Sequence, residues 1–154
     1  AEVHACPTRR ARDGRDPGGP AGPVMVPPDV RRVLLEAKAF VEGGQAFILW
    51  TALQADLEKS EDEAVATKAK DYMGLLTPVL KAYLTDKGFH VASLAMQVHG
   101  GSGYTEHFPA SQYLRDARIT MIYEGTNGIQ ALDLVGRKLP SAGGPARIAR
   151  KSAG

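Results

Sequence analysis

A chain of 154 residues has material for one domain with a real core and little room for a second. Its 44% hydrophobic and 23% charged content is ordinary for a globular protein. Nineteen basic against seventeen acidic side chains leave a formal charge of +2, which excludes the basic footprint of a nucleic-acid-binding surface. A single cysteine, Cys6, excludes an intrachain disulfide and argues against a cysteine-built metal site.

The longest unbroken apolar run, Ala46-Phe47-Ile48-Leu49-Trp50, falls far short of the roughly 20 residues that span a bilayer. No membrane span is predicted. Arg9-Arg10 is followed by an Asp/Gly/Pro stretch where an export signal needs an apolar segment, so the expected location is the cytoplasm. A chain opening on Ala1 rather than methionine reads as a portion of a longer product.

Residues 1–28 are rich in proline, glycine and arginine and have no apolar period, which predicts a mobile arm. Asp29, after Pro27-Pro28, is a predicted N-cap. From there Val30, Leu34, Ala37, Val41, Gly44, Ile48, Ala52 and Ala55 recur at helical spacing, and Val33, Phe40 and Phe47 widen the stripe. A face that broad belongs to a helix packed on more than one neighbour. Gly43-Gly44 in its middle predicts close approach of another helix or a ligand, and Trp50 reads as core.

Ser60 with Glu63 forms a predicted capping box for a helix through Val65, Ala69, Tyr72, Met73 and Leu76. Pro78 is expected to interrupt it, because proline in a helix interior costs about 3 kcal/mol, and Thr77-Pro78 reads as the cap and first position of a new helix ending at Val98. Pro109 opens a short helix through Ile119, and a last one runs from about Gly128 to Leu139, with Asn127 and Gln130 as a second capping box and Pro140 as its stop. No period-2 strand is present. The predicted fold class is all-α, an antiparallel bundle of about four main helices over residues 29–139, followed by a disordered tail at 140–154.

Three stretches carry possible chemistry. Gln97-Val98-His99-Gly100-Gly101-Ser102-Gly103 follows a helix instead of opening one, so it is not a dinucleotide fingerprint. It reads as a helix C-cap and loop whose amides can also meet a phosphate brought by another subunit or domain. Arg115, Asp116 and Arg118 read as a local ion-pair set on a helix. Glu124, just ahead of a helix, has two readings: a carboxylate stabilised by the helix dipole by about 0.3–1 kcal/mol, or a proton acceptor. Met121, Ile122 and Tyr123 form an apolar approach that raises a carboxylate's pKa while the dipole lowers it. His99 and His107 have no second ligand at metal-binding spacing, so no metal is expected.

Pro28-Asp29-Val30-Arg31-Arg32-Val33-Leu34-Leu35, the glycine turn, Arg115-Asp116-Ala117-Arg118-Ile119 and Ile122-Tyr123-Glu124-Gly125-Thr126-Asn127-Gly128-Ile129-Gln130 occur in the order and spacing of one family. The stretch from about residue 28 to 139 resembles the C-terminal helical domain of the acyl-CoA dehydrogenases, and within them the bacterial subgroup that includes the 3-methylmercaptopropionyl-CoA dehydrogenases. The resemblance implies FAD as cofactor and an acyl-CoA thioester as substrate. It implies that Glu124 removes the α-proton while hydride passes from the β-carbon to flavin N5, giving the trans-2-enoyl-CoA.

By the same resemblance the Glu124 amide donates to the thioester oxygen, and Gly125 lets the substrate pass close to the backbone. Gln97, Val98, His99, Gly100 and Gly101 meet the adenosine diphosphate half of an FAD held mainly by a partner subunit, and Thr126 and Gly128 lie near the flavin. Gly128 stands where many relatives have glutamine. A homodimer or homotetramer and electron-transfer flavoprotein as acceptor are implied as well. Nothing in the chain resembles the family's N-terminal helical domain or its central β-domain, so the chain by itself is expected to be inactive. The competing reading is a helical assembly module with an idle motif, and under either one apolar faces meant for other domains are left uncovered.

Overall fold

The computed structural model describes residues 27–140, and the expected arm and tail otherwise lie outside these residues. The elements are α1 (Pro28–Leu57), α2 (Glu63–His99), α3 (Gly101–Tyr104), α4 (Ala110–Thr120), α5 (Asn127–Asp133) and a π-helical turn (Leu134–Lys138). The domain is all-α as predicted. No helix among the described residues is long and apolar enough to cross a membrane.

The 37-residue α2 is the hub. Its partner α1 runs antiparallel, because Glu36 meets His90, Phe40 meets Tyr83, Gly44 meets Leu84 and Trp50 meets Tyr72. On the other side α4 and α5 form one interrupted antiparallel partner. Arg118 on α4 lies over Phe89, Asn127 at the start of α5 bonds residues 82–86, and Lys138 lies beside Gly74. The interruption is Met121–Thr126, which holds Glu124.

Pro78 does not end a helix. It is buried inside an unbroken α2, contrary to the expected restart at Thr77-Pro78. Proline withholds the amide that would serve the Gly74 carbonyl, and one residue earlier the Thr77 hydroxyl donates to the Met73 carbonyl at 2.6 Å. Thr77 is thus a mid-helix donor and not a cap. Two other predicted caps also move. Asp62, not Ser60, caps α2, accepting from the Ala64 and Val65 amides at 2.9 and 3.3 Å, while Ser60 accepts from the Asp62 amide. Asp29 lies inside α1, whose N-cap is Pro27, and pairs with Arg32 at 3.0 Å.

The inward stripe of α1 is Val33, Ala37, Phe40, Gly44, Phe47, Thr51 and Gln54, so the residues expected to widen the stripe are its centre. Val41, Ile48 and Ala52 are exposed. At Gly44 an added Cβ would lie 3.3 Å from Leu84 Cδ2, so this glycine serves helix packing, while Gly43 faces open space. Trp50 is 42% exposed, edge-on to Tyr72, and is not core. Α hydroxyl and an amide take core positions on α1 because both bond the preceding turn: Thr51 to the Phe47 carbonyl and Gln54 to that of Trp50.

Val33, Ala69 and Ala110, together with Pro78, are the buried apolar side chains among the described residues. So thin a core leaves Leu35, Leu49 and Leu132 about 70% exposed (68%, 70% and 75%). Apolar surface of this kind marks faces that other protein covers.

Pro78→Ala restores one helical amide. The propensity gain of about 3 kcal/mol exceeds the roughly 1.6 kcal/mol lost with two buried methylene groups. We expect net stabilisation of about 1 kcal/mol, read as a higher urea midpoint with unchanged m; a lower midpoint would show that the ring's packing dominates.

Candidate functional site

Glu124 is exposed and has φ +55°, the one positive φ at a non-glycine residue among those described. Side chains avoid this region by about 1–2 kcal/mol per residue. Gly125 follows with φ +88°, where a Cβ would also approach Gln130 Nε2 to 3.0 Å, so this position needs glycine. The chain therefore turns twice in the left-handed sense before Thr126 caps α5.

A polar cluster on the middle of α2 holds this turn. Lys81 Nζ donates to the Gly125 carbonyl at 2.7 Å and to Asn127 Oδ1 at 2.7 Å. Asn127 Nδ2 donates to Asp86 Oδ1 at 2.7 Å, Thr85 Oγ1 at 3.0 Å and the Ala82 carbonyl at 3.3 Å. From α5, Gln130 Nε2 donates to the Glu124 carbonyl at 3.3 Å. Hydrogen bonds to a charged group contribute about 1.5–3 kcal/mol each, enough to offset the left-handed backbone. Lys81 and Gln130 act on the main-chain carbonyls of the turn, the other bonds act through the Asn127 side chain, and the Glu124 carboxylate has no partner among the described residues.

Asn127 and Gln130 are therefore not a capping box: one ties α5 to α2, the other closes the Glu124 turn. The sequence reading missed Lys81, Thr85 and Asp86. Their signal was present as polar residues at i, i+4 and i+5, one face of the helix, with Lys81 interrupting the otherwise apolar run from Val79 to Leu84.

Thr126 and Gly128 are both exposed on the first turn of α5. A Cβ at Gly128 would lie 3.9 Å from Thr126 Oγ1, so the small residue there is not imposed by space. The last turn of α2 presents Gln97 and His99 to solvent with Val98 half-buried, and His99 stacks at 5.6 Å on Phe108. Gly100 ends the helix with φ +62°, and its Cβ position, like that of Gly101, meets nothing within 4 Å. Gly103 differs: a Cβ would lie 2.6 Å from His99 Cβ and 2.7 Å from the Met96 carbonyl oxygen, because the one-turn α3 folds back on α2.

The two groups are not brought together. Glu124, Gly125, Thr126 and Gly128 lie beside Lys81–Asp86, while Gln97–Gly101 sit at the far end of α2, about 16 Å by helix rise from Asp86 to Gln97 and about 28 Å from Lys81 to Gly100. The expected ion pairs of Arg115, Asp116 and Arg118 do not form either. Gln112 bonds both Asp116 and Arg115, and Arg118 turns to Phe89 and the Met121 sulfur. Farther on, Arg137 beside Asp133 holds that half-buried carboxyl below its usual range. What the pair adds is present at neutral pH and fades as acid protonates the carboxylate below its ordinary range near 3.8.

Comparison with known proteins defines the class of this helical bundle. The family model for the acyl-CoA dehydrogenase C-terminal domain matches residues 15–139, and the chain belongs to that family. Over 133 residues it is 44% identical to 3-methylmercaptopropionyl-CoA dehydrogenase of Ruegeria pomeroyi, covering 86% of this chain and 22% of the relative. It is 39% identical over 117 residues to the broad-specificity linear acyl-CoA dehydrogenase FadE5 of Mycobacterium tuberculosis, with 73% and 19% covered. A butyryl-CoA dehydrogenase of Syntrophomonas wolfei is 34% identical over 130 residues, with 84% and 21% covered. The chain thus spans about a fifth of the length of these relatives (22%, 19% and 21%). A solved structure described as an electron transferring flavoprotein of Acidaminococcus fermentans superposes with a TM-score of 0.62 at 24% identity, over 82% of this chain and 30% of that one, a likeness of fold alone.

Gly103→Ala and Gly101→Ala separate the two roles of glycine at the bend. The first forces a methyl into backbone and is expected to destabilise by about 1–3 kcal/mol. The second meets open space and should stay within about 0.5 kcal/mol. Thermal denaturation of both variants checks the contrast.

Proposed function

We propose that this chain is the base-bearing portion of an FAD-dependent acyl-CoA dehydrogenase, an oxidoreductase acting on a saturated acyl-CoA thioester. The observation that carries the reading is Glu124. In a member of this family, an exposed acid at φ +55° has its backbone held from two helices while its carboxylate is left without a partner. Strained backbone of this kind collects at sites where a side chain must be aimed.

The Glu124 carboxylate takes the α-proton of the thioester. Its own backbone amide donates to the thioester oxygen, where negative charge develops as that proton leaves. Gly125, with no side chain and φ +88°, leaves the approach to that amide clear. Bound FAD supplies the acceptor for the hydride that leaves the β-carbon, so the product is the trans-2-enoyl-CoA.

The residues proposed to meet FAD fit that task. Gly100 and Gly101 form an open ledge where a phosphate-bearing group can reach main chain, with Gln97 and His99 exposed beside it and Val98 half-buried below. Thr126 and Gly128 flank the base on the exposed side of α5. The separation along α2, about 16 Å from Asp86 to Gln97 and about 28 Å from Lys81 to Gly100, favours two different FAD molecules, one facing Glu124 and one presented by a neighbouring subunit. A homodimer or homotetramer follows from that arrangement, and the exposed Leu35, Leu49 and Leu132 favour such assembly. Electron-transfer flavoprotein is the proposed electron acceptor and the cytoplasm the proposed location. A base separated from its electron acceptor cannot complete the reaction, so the chain alone is inactive.

Two measurements test this. In the full-length polypeptide, Glu124→Gln should keep stoichiometric FAD and lose acyl-CoA oxidation by about 10³-fold or more, and retained turnover would refute the assignment of the base. The 154-residue chain expressed alone should purify without flavin absorbance, whereas tight stoichiometric FAD would refute its inactivity.

A further inference from the structure

We infer that Lys81 is a positioning residue for the base, acting on the backbone on which Glu124 turns; this rests on the reading of Glu124 given above. The ammonium does not reach for the carboxylate. It bonds the Gly125 carbonyl and Asn127 Oδ1, both at 2.7 Å, and so grips the chain on either side of Thr126. Lys81 is half-buried, and among the described residues no carboxylate lies within ion-pair distance of it. A cation in that setting is stable only while its oxygens are held in place. Asn127 is held by Asp86, Thr85 and the Ala82 carbonyl, all on the face of α2 that carries Lys81.

The cluster therefore fixes the Gly125 peptide against the most extended helix of the domain, and that peptide sets the direction of the chain at Glu124. Gln130, reaching the Glu124 carbonyl at 3.3 Å, is the remaining restraint and belongs to the short α5. Without the ammonium, Glu124 is free to leave φ +55° for the right-handed region that its side chain prefers. Carboxylate and amide would then move together, away from the α-carbon and the thioester oxygen they are aimed at. The loss falls mainly on proton removal, because the charge that the amide stabilises on the thioester oxygen develops only as the proton leaves.

The test uses the full-length FAD-loaded enzyme and Lys81→Met, which keeps the length of the stem and removes the charge. The probe is an α,α-dideuterated saturated acyl-CoA chosen from those the unmodified enzyme turns over. We expect kcat to fall about a hundredfold, the loss that follows a misplacement on the scale of 1 Å. KM should stay within about twofold, flavin content should be unchanged, and the α-deuterium isotope effect should rise because proton removal has become slower. A kcat within about threefold of the unmodified enzyme overturns the inference. So does activity lost in proportion to flavin with an unchanged isotope effect, which is the signature of a structural role alone. Should Lys81→Met fail to fold, Lys81→Arg decides: a partial loss of kcat with a raised isotope effect supports positioning, and an unchanged isotope effect overturns it. Glu124→Gln is run alongside. If it is inactive while Lys81→Met behaves normally, only the role of Lys81 falls; if Glu124→Gln still turns over, the base and its positioning residue fall together.

Discussion

The interaction on which the arrangement depends is the side-chain bridge from the middle of α2 to the break between α4 and α5. Remove Asn127, Lys81, Thr85 and Asp86 and little else specifies where the second half of the antiparallel partner begins. The surrounding apolar contacts are broad and shallow, with few side chains fully buried. Apolar burial is non-directional and holds helices side by side. A charged, hydrogen-bonded cluster has one satisfied geometry, and here it fixes register. Four polar groups thus decide where the acid stands, and the helices supply the platform.

A second constraint follows from the thin core. With α2 covered by α1 on one side and by α4 and α5 on the other, the outward faces of α1 and α5 remain apolar and wet. This explains the two apolar stripes of α1. One, through Val33, Phe40 and Phe47, packs on α2; the other, with Leu35, Val41, Ile48 and Leu49, points outward. The sequence displays both and does not say which is filled first. That choice is made by the partner helix: Gly44 admits Leu84, and the rotation this imposes carries Val41 and Ile48 out.

Much of the architecture was legible because helical periodicity is strong over α1 and α2 and because Pro109 and Pro140 punctuate the chain near real boundaries. Family membership was legible for a different reason, the order of four short motifs. What escaped was local. Pro78 reads as a stop, yet it is buried within a continuous α2, where packing outweighs its propensity cost. Ser60 and Asp62 are both good caps two residues apart, and the choice depends on where the chain leaves α1. Asn127 looked like a cap because capping is the commonest use of asparagine ahead of a helix. Its partners lie more than forty positions away, where one sequence offers no pointer to them.

Because α2 is unbroken beneath both the acid and the glycine bend, their spacing is a count of residues along a rod. Each residue added or removed between Lys81 and Gly100 shifts the bend by about 1.5 Å and swings it about 100° around the axis. Replacements in that stretch are absorbed one side chain at a time, but a change in its length re-aims one ligand edge against the other. The segment is free to vary in composition and rigid in measure, a ruler whose graduations are peptide units.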